Sequence, residues 1–333
     1  VNDLKLKKMG LIVLALIMTA SVFTGCGAKE SEEAEAAPVK EVLRISLATG
    51  GTGGTYYPVG SGIASILTKN VDGLEVTAES TGASVANLKM IADGQVEMIL
   101  AAANTSLAGY SGAEPFEAPI DNIRGISALY PETFQFVVLD KSGLKTIDDL
   151  KGKRVAVGAP GSGTERTAKM VLEAHGITYD DIDAQFLGFG EAITALKDRL
   201  IDCAIVGSGI PTSSVVDASA TLDINLLTVN KELTDKLLGD AIYFRYETIP
   251  EGTYNGVDHD TLTVASPALM VASKDLDEEL VYQMTKAIYE NIEDLEAVHA
   301  QGKNIKLENA NSAMSIPLHP GAERYYKEMG VIE

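Results

Sequence analysis

The stretch Leu43 to Lys69, LRISLATGGTGGTYYPVGSGIASILTK, constrains this chain more than any other. Leu43, Ile45 and Leu47 alternate with Arg44, Ser46 and Ala48, the period of a strand in a sheet. Gly50, Gly51, Gly53 and Gly54 then let the backbone turn sharply and come close to a ligand. Ile63, Ile66 and Leu67 follow at helical spacing. Pro58 fits a first helical turn, where no N–H partner is lost. Strand, glycine loop and helix in this order predict an α/β body. The helix start, with the hydroxyls of Thr52 and Thr55 and the rings of Tyr56 and Tyr57, is a corner suited to an anion.

The alternation continues. Leu74–Ser80 reads as a strand, Ser84 opens a helix carrying Val85, Leu88 and Ile91, and Glu97–Ala103 reads as a small apolar strand leading to Asn104. Gly125–Leu129 and Phe134–Leu139 read as two strands split by Tyr130, Pro131 and Glu132. Arg154–Gly158 is a strand, followed by a second glycine loop, Ala159 to Glu165, and a helix over Thr164–His175 that stops at Gly176. Ala184–Leu187, Ala192–Leu200, Asp202–Val206 and Ile224–Val229 continue the pattern, with Ser208 between two glycines. Thr261–Val271 is a strand long enough to cross between two lobes, and Leu276–His299 reads as one long helix. Two strand–glycine–helix corners, Thr49–Tyr56 and Gly158–Glu165, therefore face across a cleft in a hinged two-lobe receptor. Neither is a nucleotide loop: Thr164 stands where a P-loop needs Lys, and the first lacks a clean Gly-x-Gly-x-x-Gly frame.

The N-terminal residues are not part of this body. Lys5, Lys7 and Lys8 precede an apolar run from Gly10 to Val22, and Thr24 and Gly25 lead to Cys26. Residues 1–25 read as a signal peptide, with Cys26 lipidated as in a bacterial lipobox. Residues 26–40 form an acidic tether too poor in apolar residues to fold alone. The protein is then extracytoplasmic and lipid-anchored to the outer face of a cell membrane. The chain carries a formal charge of -20, and the leader is net positive, so the mature body is more acidic still. That excludes nucleic acid as a partner and leaves any anionic ligand to be held by local donors. Cys203 sits in an apolar run and reads as a buried, inert thiol.

The segments ATGGTGGTYYPVGSGIA, STGASVANL, LYPE, SGLKTIDDLKGKRVAVGAPGSGTE, IPEGTYNGVDHDTLTV and HPGAERYYKEMG together resemble the TAXI family, the solute-binding subunits of TRAP-type transporters. The resemblance covers nearly all of the body. It implies a type II periplasmic binding protein fold, with two lobes, each an open mixed sheet flanked by helices, and a ligand cleft between them. Residues 41–138 and 264–333 would form lobe I and 139–263 lobe II. It also implies an ion-coupled TRAP permease as partner, no cofactor, a monomer, and a small organic anion as ligand, with glutamate or a related amino acid or dicarboxylate first. One departure concerns the ligand: many family members carry Gln just before the polar residue after the third strand, whereas this chain has Ala101, Ala102 and Ala103 before Asn104. A less polar space would admit another dicarboxylate or an acylated amino acid.

The ligand residues expected are Gly54, Thr55, Tyr56, Ser84 and Asn104 from the first lobe and Ser162, Gly163, Thr164 and Ser208 from the second. Tyr130 and Glu132 lie near the crossing strands, and Glu132 or Glu165 would meet a ligand amine. Ser84 and Thr164 stand equally well as helix caps. The four histidines are scattered without metal spacing, and Ser162 lacks the frame of a nucleophile elbow, so neither a metal site nor an enzyme is read here. The alternative readings are the binding lipoprotein of an ABC importer or a ligand sensor for a signalling protein.

Overall fold

The computed structural model describes residues 42–239 and 243–333; the leader, Cys26 and the tether expected at 1–40 lie outside the described residues. The described residues form ten strands and ten helices besides short 3-10 turns, largely in alternation, with three successive helices after the last strand. The strands are β1 (Leu43–Ala48), β2 (Leu74–Glu79), β3 (Met98–Ala102), β4 (Ile123–Leu139), β5 (Arg154–Ala156), β6 (Asp183–Gln185), β7 (Cys203–Ser208), β8 (Ile224–Leu226), β9 (Arg245–Ile249) and β10 (Thr261–Ser273). The helices are α1 (Tyr56–Asn70), α2 (Ser84–Ala92), α3 (Ala103–Ser111), α4 (Gly163–Ala174), α5 (Phe189–Lys197), α6 (Ser213–Ser219), α7 (Lys231–Leu238), α8 (Glu278–Glu290), α9 (Ile292–Val298) and α10 (Pro320–Glu328).

Two long strands organise the sheet, whose order is β2-β1-β3-β10-β4-β7-β5-β6. The second half of β10 pairs antiparallel with β3, from Ala268 opposite Ala102 to Ala272 opposite Met98. Its first half pairs with β9. Likewise β4 pairs with β7 and β8 only from Thr133 onward. Parallel pairs β1–β2, β1–β3, β5–β6 and β5–β7 complete the two ends. This gives one lobe at each end, with β4 and β10 running through both. Each end is covered on both faces, which explains its nearly continuous apolar strands, such as the fully buried MILAA of β3. Ile63 and Leu67 of α1, Met284 of α8 and Tyr326 of α10 fill one face of the first lobe, and Val85 and Leu88 of α2 fill the other. In the second lobe Val171 and Leu172 of α4 and Ile193 and Leu196 of α5 take opposite faces.

Several local expectations change. The strands expected at Gly125–Leu129 and Phe134–Leu139 are a single strand, because Pro131 lies opposite Pro267 of β10, where the register is already shifting and a missing N–H costs little. The helix expected over Leu276–His299 breaks at Asn291, whose side-chain amide donates to Ala287 O at 2.8 Å and so satisfies a terminal carbonyl of α8. Asn104 follows the C-terminal end of β3 as expected and lies in the first turn of α3. The helix expected at Ala192–Leu200 starts earlier, at Phe189, since Glu191 accepts the Gly188 N–H at 3.0 Å and caps the start. His175 is structural: its buried ring lies 3.0 Å from Asp148 at the end of α4. Cys203 is a free, buried thiol whose pKa burial pushes up.

Candidate functional site

A cavity of about 320 Å³ lies between the two ends of the sheet, and four helices begin at its wall. Helix α1 reaches it through Thr55 and Tyr56, α2 through Ala83 and Ser84, α4 through Ser162 and Gly163, and α5 through Gly188 and Phe189. A helix start carries N–H groups without intrahelical partners and the positive end of the helix dipole, and all four of these starts stand on the wall of one space. The sequence pattern picked out two such corners; the structure brings two from each lobe. The α2 start is strained, with Ala83 at φ 67° and ψ -151°, a conformation that costs a non-glycine residue on the order of 1–3 kcal/mol.

The lobes touch directly around the cavity. Ser208 Oγ accepts the Thr55 N–H at 3.0 Å and donates to Thr55 Oγ1 at 3.0 Å, and Thr55 Oγ1 donates to Gly209 O at 3.2 Å. The Ala86 N–H donates to Gly161 O at 3.2 Å and the Ser214 N–H to Gly53 O at 3.3 Å. Two glycines set the distance of approach. A Cβ on Gly163 would lie 2.6 Å from Ser84 Oγ, and one on Gly54 would lie 3.1 Å from Phe189 Cε2.

Of the residues singled out from sequence, Gly54, Thr55, Tyr56, Ser84, Glu132, Ser162, Gly163, Thr164 and Ser208 line the cavity. Asn104, Tyr130 and Glu165 do not stand on its wall. Asn104 donates to Thr167 Oγ1 at 2.8 Å across the lobes, and Glu165 accepts from the Tyr179 hydroxyl at 2.8 Å. Tyr130 is buried beside Glu132, its hydroxyl without a hydrogen-bond partner among the described residues. Ala101, Ala102 and Ala103 pack inside the first lobe, so the missing Gln does not enlarge the cavity. The cap question also resolves: Ser162 caps α4 by accepting the Glu165 N–H at 3.0 Å, while Ser84 accepts from Ala102 N and Thr164 donates to Gly207 O at 3.4 Å. Ser162 accepts one described bond and donates none, which leaves its hydroxyl proton available to a ligand, while the Ser84 hydroxyl, which accepts from Ala102 N, stands beside that of Tyr56.

Sequence reasoning missed the wall formed by Thr81, Gly82, Phe189 and Gly190. The signals were present in Ser80-Thr-Gly-Ala-Ser84 and Leu187-Gly-Phe-Gly-Glu191, both small-residue turns from strand into helix.

Among the described residues no lysine, arginine or histidine lines the cavity, whereas Glu132 and Glu191 do. Glu191 is exposed and engaged by the Gly188 N–H. Glu132 is only 8% exposed, and burial pushes its carboxyl up to about 8, with the neighbouring Tyr56 hydroxyl offsetting part of that rise. Burial also raises the Tyr56 and Tyr130 hydroxyls, and the Glu132 carboxyl adds to both shifts. The Tyr56 hydroxyl has no partner of hydrogen-bond geometry among the described residues.

The fold has solved counterparts. The chain is similar to PhnD1 from Prochlorococcus marinus (MIT 9301), solved in complex with methylphosphonate, with TM-score 0.52 and 12% identity over 87% of this chain and 99% of that one. It is similar to a protein of Bordetella bronchiseptica RB50 with TM-score 0.51 and 20% identity over 87% and 89%. At these identities the likeness concerns the fold alone, an α/β architecture with a mixed, curled sheet flanked by helices. The model of the NMT1-like family matches residues 47–330, more than four-fifths of the sequence, and the chain belongs to the NMT1-like family.

Proposed function

We propose that this protein is an extracytoplasmic solute receptor that binds one small organic anion in the cleft between its lobes. The observation that carries this reading is the convergence of four helix starts on one cavity of about 320 Å³. In a chain of formal charge -20 an anion needs such local donors, and helix starts provide them without a cationic side chain. The cavity suits a small metabolite and is too small for a peptide or polymer. Its wall is drawn from both lobes, so ligand and lobe contacts such as Thr55–Ser208 form together.

The family resemblance of the sequence extends the reading. The receptor serves a TRAP transporter of the TAXI type, is tethered through a lipid on Cys26, and hands glutamate or a related amino acid or dicarboxylate to an ion-coupled permease. The lobes divide where β4 and β10 pass each other, near Pro131 and Pro267, with 139–263 inside the second lobe.

A thermal-shift screen of the full chain with amino acids, dicarboxylates, sugars and divalent cations tests the ligand class. A ligand that binds the folded state raises stability by ~2.7 kcal/mol at a hundredfold excess over its Kd. The expected result is a clear rise in Tm with at least one carboxylate and none with sugars. A rise with a sugar or a cation and with no organic anion would contradict the proposal.

A further inference from the structure

We propose that Glu132 is the recognition group for a primary ammonium on the ligand, so that the site selects amino acids over acids of the same carbon skeleton that lack the amine. This rests on the anion-receptor reading and narrows it. Charge inside the cavity is of two kinds. Four helix starts favour a negative group, yet the wall also carries the buried carboxyl group of Glu132, with no lysine, arginine or histidine among the described residues that line the cavity. Without a cation this carboxyl keeps its proton, and a simple anion brings no charge that would let it ionise, whereas an ammonium would.

The surroundings of Glu132 say what is missing. It lies on β4 opposite Ser266 of β10, with Tyr56 of α1 beside it and Tyr130 on its own strand. These are neutral hydroxyl groups, and no salt bridge or hydrogen bond of standard geometry to Glu132 is found among the described residues. The hydroxyls of Tyr130 and Ser266 are buried without a hydrogen-bond partner among the described residues, and that of Tyr56 has Glu132 and Ser84 beside it. A buried ionised carboxylate is costly unless paired, and a charge-assisted bond from an ammonium is the strong way to pair it. The carboxylate of the same ligand would meet the helix starts and the hydroxyl proton of Ser162 on the same wall. Negative and positive poles of the site thus match a zwitterion. The other acid of the wall, Glu191, is exposed and held by the Gly188 N–H, so Glu132 is the group suited to this pairing.

Titration calorimetry on the full chain tests this with matched pairs: glutamate and glutarate, aspartate and succinate, alanine and propionate. The wild type is expected to bind the amino member of its preferred pair at least tenfold more tightly than the partner without the amine. In Glu132→Gln that amino acid should lose at least tenfold in affinity, while its partner binds as well as before or better. Equal or tighter binding of the acid without the amine by the wild type would overturn the proposal and leave the anion receptor standing. Equal weakening of both members by Glu132→Gln would also overturn it. If no member of any pair binds, the receptor reading and this inference both fall. The wild-type ranking needs no variant, so a poorly folded Glu132→Gln protein would not blunt the test.

Discussion

Glu132 also links stability to pH. Its carboxyl titrates at about 8 in the folded protein against an ordinary value of 4.5. The folded state therefore holds a proton that the unfolded chain has released, and stability must fall as pH rises from about 4.5 to about 8. A tenfold difference in proton affinity between the two states is worth about 1.36 kcal/mol, so the full effect is on the order of a few kcal/mol. Tyr56 of α1 and Tyr130 of β4 face the carboxyl and stay neutral in this range, so they do not mask it. Melting curves of ligand-free protein between pH 5 and 8.5 should show a decline in Tm that is distinctly shallower in Glu132→Gln. Identical slopes would show that the carboxyl ionises freely in the cavity. At Ser162, alanine removes the α4 cap and should cost about 1 kcal/mol of stability. Thr164→Ala should cost less, because Thr164 caps nothing; urea melts of the two variants would separate them. Most cavity residues could be named from sequence because hydroxyls beside glycine turns stand out. The assignment of roles could not, since Ser162 and Thr164 are two residues apart and only the path of the backbone decides which one caps.

At the level of elements, the site depends on how closely helix starts approach. Gly163 opens α4 against Ser84 at the start of α2, and a methyl group there would come within 2.6 Å of Ser84 Oγ. Gly163→Ala should hold the lobes apart, with at least a tenfold loss of ligand affinity by calorimetry and little change in the Tm of ligand-free protein. Unchanged affinity would mean that the two helix starts need not meet. The first and third of the four starts were legible because four glycines in a row of five, or Gly-Ser-Gly, follow an apolar strand. The α2 and α5 starts have sparser signals, a strained Ala83 and a Gly-Phe-Gly turn, and became evident only in three dimensions. The continuity of β4 was hidden for a related reason. A proline looks like a break in isolation, and only its pairing opposite Pro267 makes it compatible with a strand.

For the whole molecule, β4 and β10 are the strands that pass between the lobes, and direct contacts link the lobes around the cleft. Ser208 is central to these contacts. Removing its hydroxyl would leave the buried Thr55 N–H without that partner, a penalty of about 1–3 kcal/mol on the arrangement with lobes in contact. Ser208→Ala should therefore weaken ligand binding roughly tenfold or more, read by calorimetry as a higher Kd. A Kd equal to that of the wild type would mean that the Thr55–Ser208 contact adds nothing to binding. Gln301, donating from the first lobe to Ile210 O in the second, adds a contact that no sequence pattern announced, because it joins residues far apart in the chain. The two-lobe plan itself was legible from the strand–helix alternation and the long strand at Thr261. The place where the lobes meet was not, since it is set by pairing between distant strands.

The most direct test of the central claim is a crystal structure of the full chain grown with the tightest-binding organic anion. The account predicts that anion in the cavity between Ser84 and Ser162, its carboxylate within hydrogen-bond distance of N–H groups at two or more of the four helix starts. An anion bound elsewhere, or seated in the cavity with its carboxylate away from every helix start, would contradict it.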